Sequence, residues 1–338
     1  TLERQVESER WTNLDRQLAR DAYRTGVVDL APHPDRQPDE FHALKVGRLR
    51  KLETMGLADQ VGPGQWKISE KAEATLRELG ERGDIIKRMH RALTDRGIER
   101  GAASYVLASE SLNDPVVGRL VTRGLDDELK GTAFAVVDGV DGRTHHIKLP
   151  DLDAAGDSAP GSIVELRRFD DARGQRRVAL AVRSDLDISA QVTATGATWL
   201  DRQAIAREPV ALGGGGFGAE VRDAIDRRAE HLIEQRLAER HGRSVIFSRN
   251  LIDTLRQREV EALGEKLAAE TGRPFTKAAT GEYVAGAYRQ RIALASGRFA
   301  MIDDGLGFQL VPWSPSLEKH LGQHVSGVAR GDGGVDWS

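Results

Sequence analysis

The stretch RQRIALASGRFAMIDDGLGFQLVPWSPSLEKHLGQHVS, residues 289–326, decides the fold class of the C-terminal third. Two apolar runs flank Asp304-Gly305, and the second ends at Trp313. An Asp-Gly pair between such runs predicts a tight hairpin, because both central residues of a two-residue turn take positive φ. Ser314-Pro315 then opens a short helix. Runs at 282–294, 297–302 and 307–311 predict a three-stranded antiparallel meander, with the tail VARGDGGVDWS supplying a further edge strand.

Working backwards, AEVRDAIDRRAEHLIEQRLAERHG (219–242) is an amphipathic helix with Val221, Ile225, Ala229, Leu232, Ile233 and Leu237 on one stripe. Ser244–Phe247 reads as a short strand and 248–272 as one or two helices. Residues 191–218 read as a linker with one ordered anchor, ATWLDRQ (197–203), ending in ALGGGGFG.

Between 99 and 190 the texture is short strands: 116–123, 133–138, 144–149, 162–169 and 177–183. Five strands at that spacing predict a small barrel, SH3-like or OB-like. Barrels of this kind can stack bases on aromatics. This one offers Phe134 and Phe169, and its net charge is 12 − 16 = −4. A packing or partner-binding role is therefore favoured.

Residues 1–98 read as a winged-helix-like helical domain. Trp11, Leu14, Leu18 and Tyr23 mark one helix, and Asp29–Pro38 is a loop. Phe41, Leu44, Leu49, Leu52 and Met55 mark a helix stopped at Gly56, and a hairpin turns at Gly62-Pro63-Gly64. A helical stretch over 69–98 follows, expected to split at Gly80 and Gly83. The second helix carries Lys45, Arg48, Arg50 and Lys51, with Lys67 on the wing. Such a row is the pattern of phosphate contact. The bland reading is a solvated helix face or a protein-binding module, and Glu53 and Asp59 dilute the patch.

The fold class expected is thus α+β, in segments 1–98, 99–190, 191–218 and 219–338. With 338 residues, 39% apolar and 30% charged, the chain is a globular protein of about two or three domains. The net charge, 49 − 52 = −3, excludes a surface coated in nucleic acid and leaves only a local patch. The absence of cysteine excludes disulfides and points to a reducing, cytoplasmic setting. No run is long and apolar enough for a membrane span. The first residue, Thr1, suggests a piece of a longer protein.

Candidate chemical motifs each meet an objection. Gly213, Gly215 and Gly218 spell G-x-G-x-x-G, but the preceding stub starts at Pro209 and no acid closes a following strand, so a flexible connector is favoured over a dinucleotide site. His145 and His146 alternate along a strand and cannot share a metal. His320 and His324 have helical zinc spacing without the Glu of H-E-x-x-H. Asp126, Asp127, Glu128, Asp303 and Asp304 fall at turns. No catalytic residue, cofactor, metal or small-molecule substrate is expected.

Six blocks, taken in order, resemble one family: RLRKLETMGLADQVGPGQWKI, LRELGERGDIIKRMHRAL, GRLVTRGLDDELKGTAFAVVDGVDGRTHHIKL, TATGATWLDRQ, GGGGFGAEVRDAIDRRAEHL and AGAYRQRIALASGRFAMIDDGLGFQLVPWSPSLEKHLGQHVSGVARG. They are similar to the uncharacterised C-terminal region of VirD-type relaxase/mobilization nucleases of conjugative elements. The resemblance implies a parent that nicks one strand at a transfer origin, with its nuclease domain N-terminal to this region. It carries no catalytic residue onto this chain. The implied partners are transfer-origin DNA, relaxosome proteins, or the coupling protein of type IV secretion.

Overall fold

The computed structural model describes residues 1–37, 39–108 and 115–338. Pro38, the end of the expected 29–38 loop, lies outside them. The protein is mixed α+β and divides into two compact units, Thr1–Arg91 and Ala92–Ser338.

The first unit contains α1 (Leu2–Val6), α2 (Asn13–Asp21), β1 (Val28–Asp29), α3 (His42–Thr54), β2 (Ala58–Gly62), β3 (Gln65–Ile68) and most of α4 (Ala72–Asp95). Thr12 starts α2 with a capping box to Asp15. Gly56, at φ +72°, lets the chain leave α3 and turn into β2. The sheet order is β1-β3-β2, with buried Val28 opposite Trp66 against Leu18 and Leu49. The split expected at Gly80 and Gly83 does not occur, and α4 is continuous. Gly80 serves packing instead: Arg10 lies where its side chain would be, and Arg10 Nη1 reaches Asp84 at 3.0 Å.

The second unit opens with a 3-10 turn at Ala102–Ser104. It continues through β4 (Tyr105–Val106), β5 (Val117–Asp127), β6 (Thr132–Gly139), β7 (Thr144–Leu149), α5 (Leu152–Ala155), β8 (Ile163–Asp170) and β9 (Arg176–Ser184). These strands form one sheet in the order β4-β7-β6-β5-β8-β9. The barrel expected over 99–190 is therefore corrected to an open sheet. Closure would require β9 to pair with the β7 side; among the described residues β9 pairs only with β8, β4 takes the other flank in parallel, and α5 packs across β5, β6, β7 and β9.

Next come α6 (Ile188–Val192), α7 (Trp199–Ile205), α8 (Gly216–Glu234), β10 (Ala238–His241), β11 (Ser244–Phe247) and α9 (Leu251–Thr271). The flexible linker expected over 191–218 is packed. Trp199, Leu200, Phe217 and Val221 share a core with Val117 and Ile163 of the sheet. The Gly213 N–H donates to the Val140 carbonyl at 2.7 Å, and a Cβ on Gly218 would collide with that carbonyl. Gly213 and Gly218 of G-x-G-x-x-G thus serve close backbone packing, whereas a side chain on Gly215 would meet open space.

The meander is present as β12 (Tyr283–Leu294), β13 (Gly297–Asp303) and β14 (Phe308–Pro312). β15 (His324–Ala329) and β16 (Val335–Trp337) extend it to the order β14-β13-β12-β15-β16. Its Asp304-Gly305 turn is looser than expected: four residues separate β13 from β14, and of the central pair only Gly305 has positive φ. The Asp304 carboxylate accepts the Leu306 and Gly307 N–H groups at 2.8 Å each, which closes the longer loop.

One regularity spans both units. THR-x-LEU-ASP-ARG-GLN occurs at 12–17 and again at 198–203, each time capping a helix with the same Thr–Asp box. Around it, α1-α2-α3-β2-β3-α4 and α6-α7-α8-β10-β11-α9 follow the same order. Gln5 accepts the Leu14 N–H and Gln191 the Leu200 N–H, both at 3.2 Å. After α3 and α8 the chain exits through positive-φ Gly56 and Arg236, with the Leu57 and Leu237 N–H groups each 2.8 Å from the carbonyls of Leu52 and Leu232. The chain contains two copies of one helical module. They differ at the third strand: the α7–α8 segment leaves through Gly213 toward Val140, so β10 and β11 stand as a two-stranded sheet.

Candidate nucleic-acid interface

The five basic residues expected to form one patch do not. Arg48 is fully buried, and all five of its donors are used. Nε and Nη2 hold the Asp15 carboxylate at 2.8 and 2.9 Å. Nη1 donates to the carbonyls of Val6 (3.1 Å) and Ser8, and Nη2 also donates to that of Arg10 (2.8 Å). Lys45 is buried as well, with Nζ 2.8 Å from Asp21 and 2.6 Å from Asp39. Lys51 is half-buried, 3.7 Å from Glu7. Arg50 and Lys67 are exposed and enter no ion pair among the described residues. Of the expected row, these two are left to meet a partner.

The Lys45 cluster has a readable pH dependence. Burial works against the Lys45 ammonium, but the Asp21 and Asp39 carboxylates outweigh it, so its pKa is raised. Asp39 is lowered, chiefly by the Lys45 hydrogen bond and then by the Phe41 N–H. The Asp39 contribution is present above the ordinary carboxylate value of about 4 and is lost as pH falls through the lowered folded value. The Lys45 contribution is present below about 10.4 and is lost as pH rises through the raised folded value. In Lys45→Met both flanks of the stability–pH curve are expected to flatten, as read by urea midpoints across pH.

The second module repeats the first module's lock. Arg228 Nε and Nη2 hold Asp201 at 2.9 and 3.0 Å. Nη1 donates to the Val192 and Ala194 carbonyls at 3.3 and 2.6 Å, and Nη2 to that of Gly196 at 2.9 Å. The carboxylates are offset by 201 − 15 = 186 residues, and so are the three carbonyls, Val6/Val192, Ser8/Ala194 and Arg10/Gly196. Each arginine ties its α3 or α8 helix to the segment leading into α2 or α7. The locks are structural, and sequence reading missed them; the repeated Thr-x-Leu-Asp-Arg-Gln was the available signal.

A third buried acid anchors the open sheet. Asp138 of β6 is fully buried and receives Arg100 (3.0 and 2.9 Å) and Arg119 (3.1 Å), while both arginines also reach Glu220 of α8 at 2.9 Å. The Arg119 guanidinium lies over the Phe217 ring, 4.6 Å from its centroid.

The histidines and acids behave as packing groups. His145 pairs with Asp141 at 2.8 Å, and His146, on the opposite face of β7, stacks on Phe134 with centroids 5.7 Å apart. His320 ends a 3-10 turn and His324 opens β15, so the expected helical spacing between them is lost. Asp303 is held by Arg273 and lies 3.5 Å from Arg289. Among the described residues no group of three His, Asp or Glu could hold a metal, and no helix is long and apolar enough to cross a membrane.

A family model described as a protein of unknown function (DUF3363) matches residues 45–173 and 166–338. The chain belongs to this family. The matched span starts at Lys45 inside α3 and runs to Ser338, so it takes in the second module entire and the first from α3 onward, its lock arginine included. Comparison of this DUF3363 member with curated proteins and with solved structures returned no match.

Proposed function

We propose that the chain is a non-catalytic region of a conjugative DNA relaxase that contacts transfer-origin DNA, with relaxosome or coupling proteins as further partners. The reading is carried by the ordered series of six blocks between residues 48 and 331, which resembles the region following the nuclease in VirD-type relaxases. The DUF3363 family assigns no function of its own.

In this reading the first module is winged-helix-like: α3 is the helix presented to a partner and β2–β3 is the wing. Its three-stranded sheet and the exposed Arg50 and Lys67 support that role. A helix-turn-helix places a further helix just before its recognition helix. Here the described residues between β1 and α3 form no helix, so contact through α3 and the wing is limited to the phosphate backbone and carries little sequence information.

The second reading is a protein-interaction or translocation module without DNA contact. It is favoured by the burial of Lys45 and Arg48, which removes two cations from the expected patch.

Titration of the whole chain with labelled duplex from its element's transfer origin, over a salt series, separates the two. The Arg50→Ala/Lys67→Ala variant is expected to bind more weakly, with its salt slope reduced by roughly 1.8, about 0.9 per phosphate contact. An unchanged slope removes α3 and its wing from the interface. No duplex binding by the unaltered chain leaves the protein-interaction reading.

A further inference from the structure

We propose that the β8–β9 hairpin is a ribbon that enters the major groove of duplex DNA. This rests on the DNA-contact reading above and assigns the contact to an element that reading does not use. Among the described residues β8 pairs with β5 only over Ile163–Glu165 and β9 pairs only with β8, so from Arg167 to Arg177 the ribbon leaves the sheet as two strands.

The ribbon is strongly cationic in an acidic neighbourhood. Residues 166–178 hold five arginines and two aspartates, 5 − 2 = +3, inside a segment (99–190) whose total is −4. Arg167, Arg168, Arg173, Arg176 and Arg177 are all exposed. Among the described residues the first four enter no ion pair.

One of the two acids is consumed by the turn. Asp171 accepts the N–H groups of Arg173 and Gln175 at 2.9 Å each and Arg177 Nε at 2.8 Å. Those bonds, the Gln175 N–H foremost, hold its carboxyl below the usual range. The turn is therefore braced at the end of the ribbon.

Geometry selects the partner. Alternation along the strands puts Arg167 and Phe169, with Arg177 opposite Phe169, on one face, and Arg168 and Arg176 on the other. Cations on both faces suit a groove with phosphates on both walls; a bilayer or a flat acidic surface would use one face only. Four residue pairs beyond the sheet, Arg167–Ala179 to Asp170–Arg176, extend about 13 Å at ~3.3 Å per residue. A major groove about 12 Å wide admits such a two-stranded ribbon. Single strands are bound by successive aromatics, and Phe169 is the ribbon's single aromatic.

The test is fluorescence anisotropy of the whole chain with a labelled mixed-sequence duplex of ~20 base pairs over a salt series. Matched arms use the single strand, poly-glutamate and anionic phosphatidylserine vesicles. Arg167→Gln/Arg173→Gln/Arg176→Gln changes only exposed side chains; unchanged circular dichroism and urea midpoint check its fold. The variant is expected to lose at least about tenfold in duplex affinity near 0.1 M salt, with the slope of log K against log salt reduced by roughly 2.7.

Equal affinity and slope in variant and unaltered chain overturn the inference, as does a preference for the single strand, poly-glutamate or vesicles over duplex. If duplex binding survives the ribbon variant and is lost in Arg50→Ala/Lys67→Ala, the ribbon assignment falls while the DNA reading stands. If the unaltered chain binds no duplex, both fall.

Discussion

Arg228→Ala is expected to destabilise the second module by about 3–5 kcal/mol, the cost of leaving one partner of a buried pair unmatched. Asp201 loses its guanidinium partner, and three carbonyls, those of Val192, Ala194 and Gly196, lose their donor. Arg48→Ala is expected to cost a similar amount in the first module, where Asp15 and the carbonyls of Val6, Ser8 and Arg10 stand in the same relation. Arg→Lys is expected to recover little at either site, because three donors on a point charge replace a planar fork of five. Urea unfolding followed by tryptophan fluorescence reads both, since Trp199 lies in α7 and Trp11 and Trp66 lie in the first module. A loss below about 1 kcal/mol in either variant, the range of exposed ion pairs, contradicts the lock.

The second large effect is at Asp138. Asp138→Ala removes the buried carboxylate shared by Arg100 and Arg119, leaving the half-exposed Glu220 as their remaining common acid. Burial opposes the Arg100 charge, and Asp138 and Glu220 together hold its pKa above the ordinary value. The expected cost is roughly 3 kcal/mol, the low end of the buried-pair range, because Glu220 offsets part of the loss. Glu220→Gln, at the solvent edge of the same network, is expected to cost no more than about 1 kcal/mol. Equal effects for the two substitutions would mean that the network is not organised around Asp138.

Much of the secondary structure was legible because local signals agreed with the packing. Gly56 stops α3, and Asp141-Gly142 joins β6 to β7. The alternation in 282–311 gives the meander, and its tail strand is β16. Misreadings came where glycine serves two purposes. At Gly80, Gly213 and Gly218 a missing side chain admits a neighbour, but in sequence it looks the same as a helix break or a flexible joint. The open sheet was read as a barrel because strand count and spacing do not say which edges meet.

The candidate site was misread for a different reason. Lys45, Arg48, Arg50 and Lys51 look alike as a row of cations, and their fates depend on acids far along the chain, Asp15, Asp21 and Asp39. Arg228, in α8, had the same fate and was unremarkable in sequence. The ribbon arginines were visible as part of an acidic segment, where the net charge of −4 hid their clustering on one hairpin.

The most direct test of a non-catalytic, DNA-contacting region is a paired gel. The whole chain is incubated with magnesium or manganese and end-labelled transfer-origin duplex and single strand, and halves of each sample are run on native and denaturing gels. The account predicts a salt-sensitive shift of the duplex on the native gel and full-length strands on the denaturing gel. A cleaved strand or a covalent protein–DNA adduct would contradict it.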